Sequence, residues 1–314
     1  MKNITTLGKV AEKVDELSRH CTDRMIPVQD IHFDDLDTVR IANEPHTLRP
    51  VAQQSIAWRL GIPIQYLRRC PPDMQAYNMN HWIKHERNEE LFFRFTHEDV
   101  RAIFTPKYTP VDNFEIMERL DSLGYKPDTQ VQCHLDPEFM SLSILEGQES
   151  FEIDGDRMTP GISLGNSEVG LASLSISAFV LRLICTNGMI STDGVAASYR
   201  HVSRKILEEF PEVMTRVGNE LGKQKDRFRL SVESPVQNPA MTIESFNRRF
   251  GLSKHEKEAV EWGHMMEPGG RTMFEVVNAY TRASHFHGLS AESAHKLQKT
   301  AGMILTMLSP GGTH

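Results

Sequence analysis

The residues best able to do chemistry in this sequence are cations set among aromatic rings. Arg94, Arg101, Lys107, Arg182, Arg200, Arg204 and Lys205 are interleaved with Phe93, Phe95, Tyr108 and Tyr199, and His201 stands inside the last basic run. Cations follow a phosphate backbone and aromatic faces stack bases, which together is what sequence-tolerant binding of a single strand requires. Arg182 is the sharpest case, because Phe179 to Cys185 is apolar apart from it. An arginine there must reach water or a partner, since burying it unpaired is costly. A basic groove built around Arg182, Arg200 and Arg204 is therefore expected, completed by Arg101, Lys107, Tyr108, His201 and Lys205.

A second candidate is Asn166-Ser167-Glu168, a serine beside a carboxylate. A nucleophilic serine needs a base within hydrogen-bond reach, and the sequence identifies none. The plainer reading is a structural loop in which Asn166, Ser167 and Glu168 tie a tight turn. Asn187-Gly188, a strong turn signal, is expected to close the apolar run in the same way. His81 and His85 share a helix face at zinc-pair spacing but have no third ligand. The acidic turn at Asp34, Asp35 and Asp37 has no further oxygen ligands nearby. There is no phosphate-cradling Gly-x-x-x-x-Gly-Lys-Ser/Thr, no dinucleotide-binding glycine pattern and no Gly-x-Ser-x-Gly elbow. No catalytic residue, metal or cofactor is assigned.

The elements that must hold these residues follow from periodicity. Leu7, Val10, Val14 and Leu17 predict an amphipathic helix within residues 1–23. Residues 48–67 read as a helical pair broken at Gly61-Ile62-Pro63, imitating a helix-turn-helix closed by Arg68 and Arg69, though a helical hairpin within a larger domain is the preferred reading. Residues 91–95 and 100–104 predict a strand pair. Asp112 with Glu115 predicts a capping box on a helix that stops at Gly124. Residues 131–135, 140–145 and 151–153 predict three more strands. The stretch 160–170, with Gly161, Gly165 and Gly170, reads as a loop. From Ser173 to Ala178 serine and apolar residues alternate, the mark of a strand with one buried face. Helix is expected to about residue 229, a linker over 231–239, and helices over 241–309. The result is an α+β plan: a mainly antiparallel sheet core with helices on one side, followed by a helical C-terminal region. The expected divisions are an N-terminal arm (1–44), an α+β core (45–230) and a helical region (240–309).

At 314 residues, with 39% hydrophobic and 25% charged residues, the composition is that of an ordinary globular protein. The net charge of -7 argues against coating nucleic acid by bulk charge, but leaves room for a local basic groove. Four dispersed cysteines fit reduced thiols better than a disulfide framework. The expected location is the cytoplasm, since no secretory signal and no spanning apolar run is visible.

The chain resembles an uncharacterised phage/plasmid-like protein family of prophages, plasmids and phages. The likeness is carried by Gly165-Asn166-Ser167-Glu168-Val169-Gly170 with Leu183 to Met189, by Val100 to Tyr108 with Val111-Asp112-Asn113, and by Val277-Asn278-Ala279-Tyr280-Thr281 and Thr300 to Met303. It implies a mobile-element context and brings no settled activity. In topology alone, the predicted order also resembles the core of Rad52-like single-strand annealing proteins, an analogy of fold. The leading expectation is a non-enzymatic homo-oligomer, in the Rad52-like analogy a ring, that binds single-stranded DNA and promotes annealing. The alternatives are a protein that inhibits a host nuclease or defence complex, and an enzyme using the Asn166-Ser167-Glu168 loop.

Overall fold

In the computed structural model, residues 4–145, 150–153, 155–182, 187–190, 197–199, 205–219, 224–266, 269 and 271–308 are described. The stretch expected as an arm supplies β1 (Ile4–Thr6), α1 (Leu7–Ser18), β2 (Cys21–Pro27), β3 (Ile31–Phe33) and β4 (Thr38–Ile41), and β5 (Glu44–Thr47) starts at its end. Three helices follow: α2 (Pro50–Arg59), α3 (Ile64–Leu67) and α4 (Pro72–Ile83). The hairpin expected at 91–104 is β6 (Glu90–Thr96) with β7 (Asp99–Phe104). Helix α5 (Asn113–Ser122) starts on the Asp112–Glu115 capping box and ends before Gly124, whose φ of 89° only glycine adopts easily. Next come β8 (Gln130–Leu135), β9 (Met140–Leu145), β10 (Phe151–Ile153), β11 (Asp156–Asn166), β12 (Leu174–Arg182), β13 (Asn187–Ile190) and β14 (Ala197–Tyr199). The chain continues through α6 (Lys205–Asn219), α7 (Gln224–Glu233), α8 (Pro239–Arg249), α9 (Lys254–Met265), α10 (Met273–Ala283) and α11 (Ala291–Thr306).

The named strands pair antiparallel throughout, so the α+β class holds. The large sheet runs β1-β8-β9-β11-β12-β13, with β10 added to β11 and β14 to β12. Two small sheets, β2-β6-β7 and β3-β4-β5, build the N-terminal module around Phe33, Phe93, Phe95, Ile56 and Leu67.

Three expectations need correction. Residues 160–170 are mostly strand, because β11 runs to Asn166 in the middle of the large sheet. Its Gly161 is there for close approach: a Cβ would lie 2.1 Å from the Ile144 carbonyl oxygen of β9. Asn187-Gly188 is not a turn but the start of β13, opposite Arg182 and Leu181. A Cβ on Gly188 would sit 2.3 Å from both the Gln132 amide oxygen and the Phe179 ring. Finally, helices cover both faces of the large sheet. Leu142, Ile144, Leu164 and Ile176 pack with α1, α5 and α6. The serines alternating with them are also buried, Ser141 and Ser143 at 2% exposure and Ser163 at 1%, and Ser141 bonds His295 of α11. Alternation of serine with apolar residues here marks a small-residue helix seat, not a wet face.

Candidate nucleic-acid interface

Three of the arginines expected to line a groove, Arg94, Arg101 and Arg182, are held against carboxylates. Arg94, 2% exposed, donates to Asp23 (2.9 and 3.1 Å), to Asp112 (2.7 Å) and to the Glu168 carbonyl (3.0 Å). Arg101, 5% exposed, donates to the Glu168 carboxylate at 2.7 Å. Arg182 pairs with Asp156 and lies over the Phe274 ring. Register puts Arg182 opposite Met158 and Ser175 opposite Gly165. Arg182 is thus roughly 23 Å of strand, at ~3.3 Å per residue, from the 166–170 loop where Arg94 and Arg101 meet. Among the described residues, Arg94, Arg101 and Arg182 do not share a groove: each guanidinium group is held against a carboxylate, and Arg182 sits at the far end of the sheet. Lys107 is exposed. Tyr108 stacks on Phe104 (centroids 3.8 Å, planes within 3°) and donates to the Glu168 carbonyl at 3.3 Å. Lys205 opens α6, and Arg200, His201, Arg204 and Cys185 lie outside the described residues.

The 166–168 loop is a staple between modules. The Glu168 carboxylate accepts from Arg101 of β7 and from the Asn113 backbone N–H at the start of α5, each at 2.7 Å. Asn166 donates to the Val111 carbonyl and to the Asn113 side chain. Ser167 Oγ, fully buried, donates to the Glu138 carbonyl and accepts from the Leu171 N–H. A hydroxyl held this way ties the turn, and among the described residues no side-chain base bonds it, as nucleophilic catalysis would need. Burial, with the neighbouring Glu168 charge, raises the Asp112 carboxyl above its usual range despite Arg94.

The aromatic and basic groups that do reach water sit elsewhere. Among the described residues, the exposed aromatics are Trp58 (83%), Tyr77 (71%), Trp82, Tyr66 and Phe114, and all but Phe114 belong to the α2–α4 segment. Tyr77, His81, Trp82 and His85 form a run of ring contacts along α4 (5.1 to 6.2 Å). Between Pro50 and Asn88 five cations face two acids, Asp73 and Glu86, in a chain of net charge -7. Arg59 is spent on Glu86 at 2.7 Å. Burial works against the Glu86 charge, but hydrogen bonds from Arg59 and Asn88 hold its carboxyl below the usual range. Arg68, Arg69, Lys84 and Arg87 are exposed and make no ion pair among the described residues. Glu89 and Glu90 bound the patch.

Trp58 stands between two hollows. One, about 420 Å³, is shared with Trp82, His85 and Arg87. The other, about 530 Å³, lies between α2 and the Phe104–Tyr108 turn, with Glu292 of α11 on its border. Residues 51–69 do not form a recognition helix, since α3 has four residues, a single turn. Sequence reading singled out Arg68 and Arg69 but passed over Trp58, Tyr77 and Trp82. Two of the chain's three tryptophans inside a stretch with five cations and two acids were the available signal.

Among the described residues no group of three or more His, Cys, Asp or Glu side chains could hold a metal ion, and no helix is long and apolar enough to cross a membrane. The fold and these surfaces define an antiparallel α+β protein with a buried arginine–carboxylate staple and a helical segment rich in exposed aromatic and basic residues. The chain belongs to the family described as Domain of unknown function (DUF932), whose model matches residues 101–301 and thus more than half of it. The match takes in Arg101 and the 166–168 loop, while α2–α4 precede it. No curated protein sequence and no solved structure matches the chain.

Proposed function

We propose that this protein binds single-stranded DNA on α2–α4, with bases stacked on Trp58, Trp82 and Tyr77 and phosphates drawn to Arg68, Arg69, Lys84 and Arg87. One observation carries the reading: exposed aromatic rings and exposed, unpaired cations coincide on one helical module of an otherwise acidic chain. Stacking on aromatic faces accepts any base, and the cations track the backbone. The resemblance of residues 165–170 and 183–189 to a phage and plasmid family supports a setting in mobile-element DNA metabolism. Annealing of complementary strands and self-assembly extend this reading.

The test is fluorescence anisotropy of a labelled oligonucleotide at rising salt. With about four phosphates neutralised, log K should fall against log salt with a slope of about -3. Trp58→Ala, on a residue 83% exposed, should weaken binding about tenfold and leave the unfolding midpoint in place. Absence of binding at low salt, or indifference to Trp58→Ala and Trp82→Ala together, overturns the proposal. The contact of exposed Tyr66 with exposed Met74 favours, as a second reading, a protein partner such as a host nuclease. Capture of one protein without any affinity for DNA is the result that would select it.

A further inference from the structure

The 530 Å³ hollow beside Trp58 falls within the size range of small-ligand sites. Its walls are mostly apolar and aromatic: Trp58 from α2 on one side, the parallel Phe104–Tyr108 pair on the other. Polar groups are few, chiefly Gln54, Thr105 and the Glu292 carboxyl. Among the described residues the only cation on its border is Arg59, which is already committed to Glu86. A phosphate would meet a carboxylate there and no free positive charge, so the hollow suits an uncharged, flat group. It shares Trp58 and Arg59 with the hollow of Trp82, His85 and Arg87, so it opens directly off the proposed path of the strand.

We infer that this hollow receives one unstacked base of the bound strand, guanine by preference, with Glu292 accepting its edge N–H groups. The inference rests on the proposed DNA binding and adds base selectivity to it. The edge chemistry decides the base. Guanine presents two adjacent donors, N1–H and the N2 amino group, which match the two oxygens of one carboxylate. Thymine presents a single N–H between two carbonyl oxygens, both repelled by Glu292. Adenine and cytosine each offer an amino donor beside a ring-nitrogen acceptor. Burial, then the nearby Glu256 carboxylate, raises the Glu292 carboxyl above the usual range, as expected of an acceptor short of donors.

The test compares an oligothymidylate with the same strand carrying one guanine, both by anisotropy with the full-length protein. Wild type should favour the guanine strand roughly tenfold, the discrimination a good bidentate base contact provides. Glu292→Gln should reduce that preference to under about twofold, by weakening the guanine strand and relieving the repulsion of thymine. Since Glu292 is near the N-terminus of α11, a circular-dichroism melt of the variant verifies that the helix persists. Equal binding of both strands by wild type removes the base pocket and leaves the strand reading standing. A preference that survives Glu292→Gln also overturns it. If neither strand binds, the strand reading itself falls and takes this inference with it.

Discussion

Replacing Glu168 with alanine should unhinge the joint between the N-terminal module and the large sheet. Its carboxylate takes two bonds of 2.7 Å, from Arg101 and from the Asn113 N–H, and Arg101 is only 5% exposed. Removing one partner of a buried ion pair costs about 3–5 kcal/mol, because the survivor is left charged and dry. The orphaned N–H adds about 1 kcal/mol or more unless water reaches it. A loss of about 4 kcal/mol is a large part of the ~5–15 kcal/mol that holds a typical domain together. In urea, with a slope of about 3 kcal/mol per molar, the midpoint should fall by roughly 1 M. Arg101→Met combined with Glu168→Gln removes both charges while keeping an acceptor for Asn113, and should recover most of the loss. The two single changes would then be strongly non-additive. A Glu168→Ala midpoint within about 0.3 M of wild type, or strictly additive effects, would refute the staple.

Two other outcomes follow from buried groups. His134 and His295 keep some surface, yet burial lowers both to about 3, helped at His134 by His285 and His295 and at His295 by Lys299. The unfolded chain takes up these protons below about 6.5 and the folded one does not, so stability should fall as pH drops from about 6.5 toward 3, by about 1.4 kcal/mol per pH unit per histidine. Asp112, Glu138 and Glu292, held above their usual range, act in the opposite sense near the carboxylate range. Urea midpoints at pH 7 and pH 5 check this: the drop should shrink in His295→Gln, and a flat profile in wild type counts against it. Gly161→Ala drives a methyl into the Ile144 carbonyl and should lower stability by about 3 kcal/mol or abolish soluble expression, whereas Gly251→Ala, with open space at its Cβ, should cost only backbone strain.

Much of the fold was legible because local rules decided it. The hairpin 90–104, the Asp112–Glu115 cap, the strands 130–145 and the C-terminal helices all follow from periodicity and capping residues. What misled was context that only tertiary packing supplies. Glycines at 161 and 188 read as turns, yet they are places where neighbouring strands and side chains crowd the backbone. The serines of β12 read as the open side of a strand with one buried face, because the sequence does not show that Ser177 is covered to 6% exposure. Arg94, Arg101 and Arg182 read as a surface, since their partners Asp23, Glu168 and Asp156 lie as far as 71 residues away. Counting cations identified the residue type but not its neutralisation. Nothing in the local pattern shows that Trp58 and Trp82 stay outside the core, where large aromatics are usually found.

Ser141, Ser143 and Ser163 give α11 a shallow bed on the sheet, and Ala291 at its start is tied to Asp136. That seating brings Glu292 to the rim of a hollow whose other wall is Val51 to Trp58. During synthesis, therefore, the Phe104–Tyr108 wall is made about fifty residues after Trp58, but the Glu292 border only after more than two hundred. Contacts so distant in sequence form slowly. A nascent chain would carry the hollow without its Glu292 border through most of translation, so ribosome-bound intermediates would meet chaperones or DNA before that border is in place.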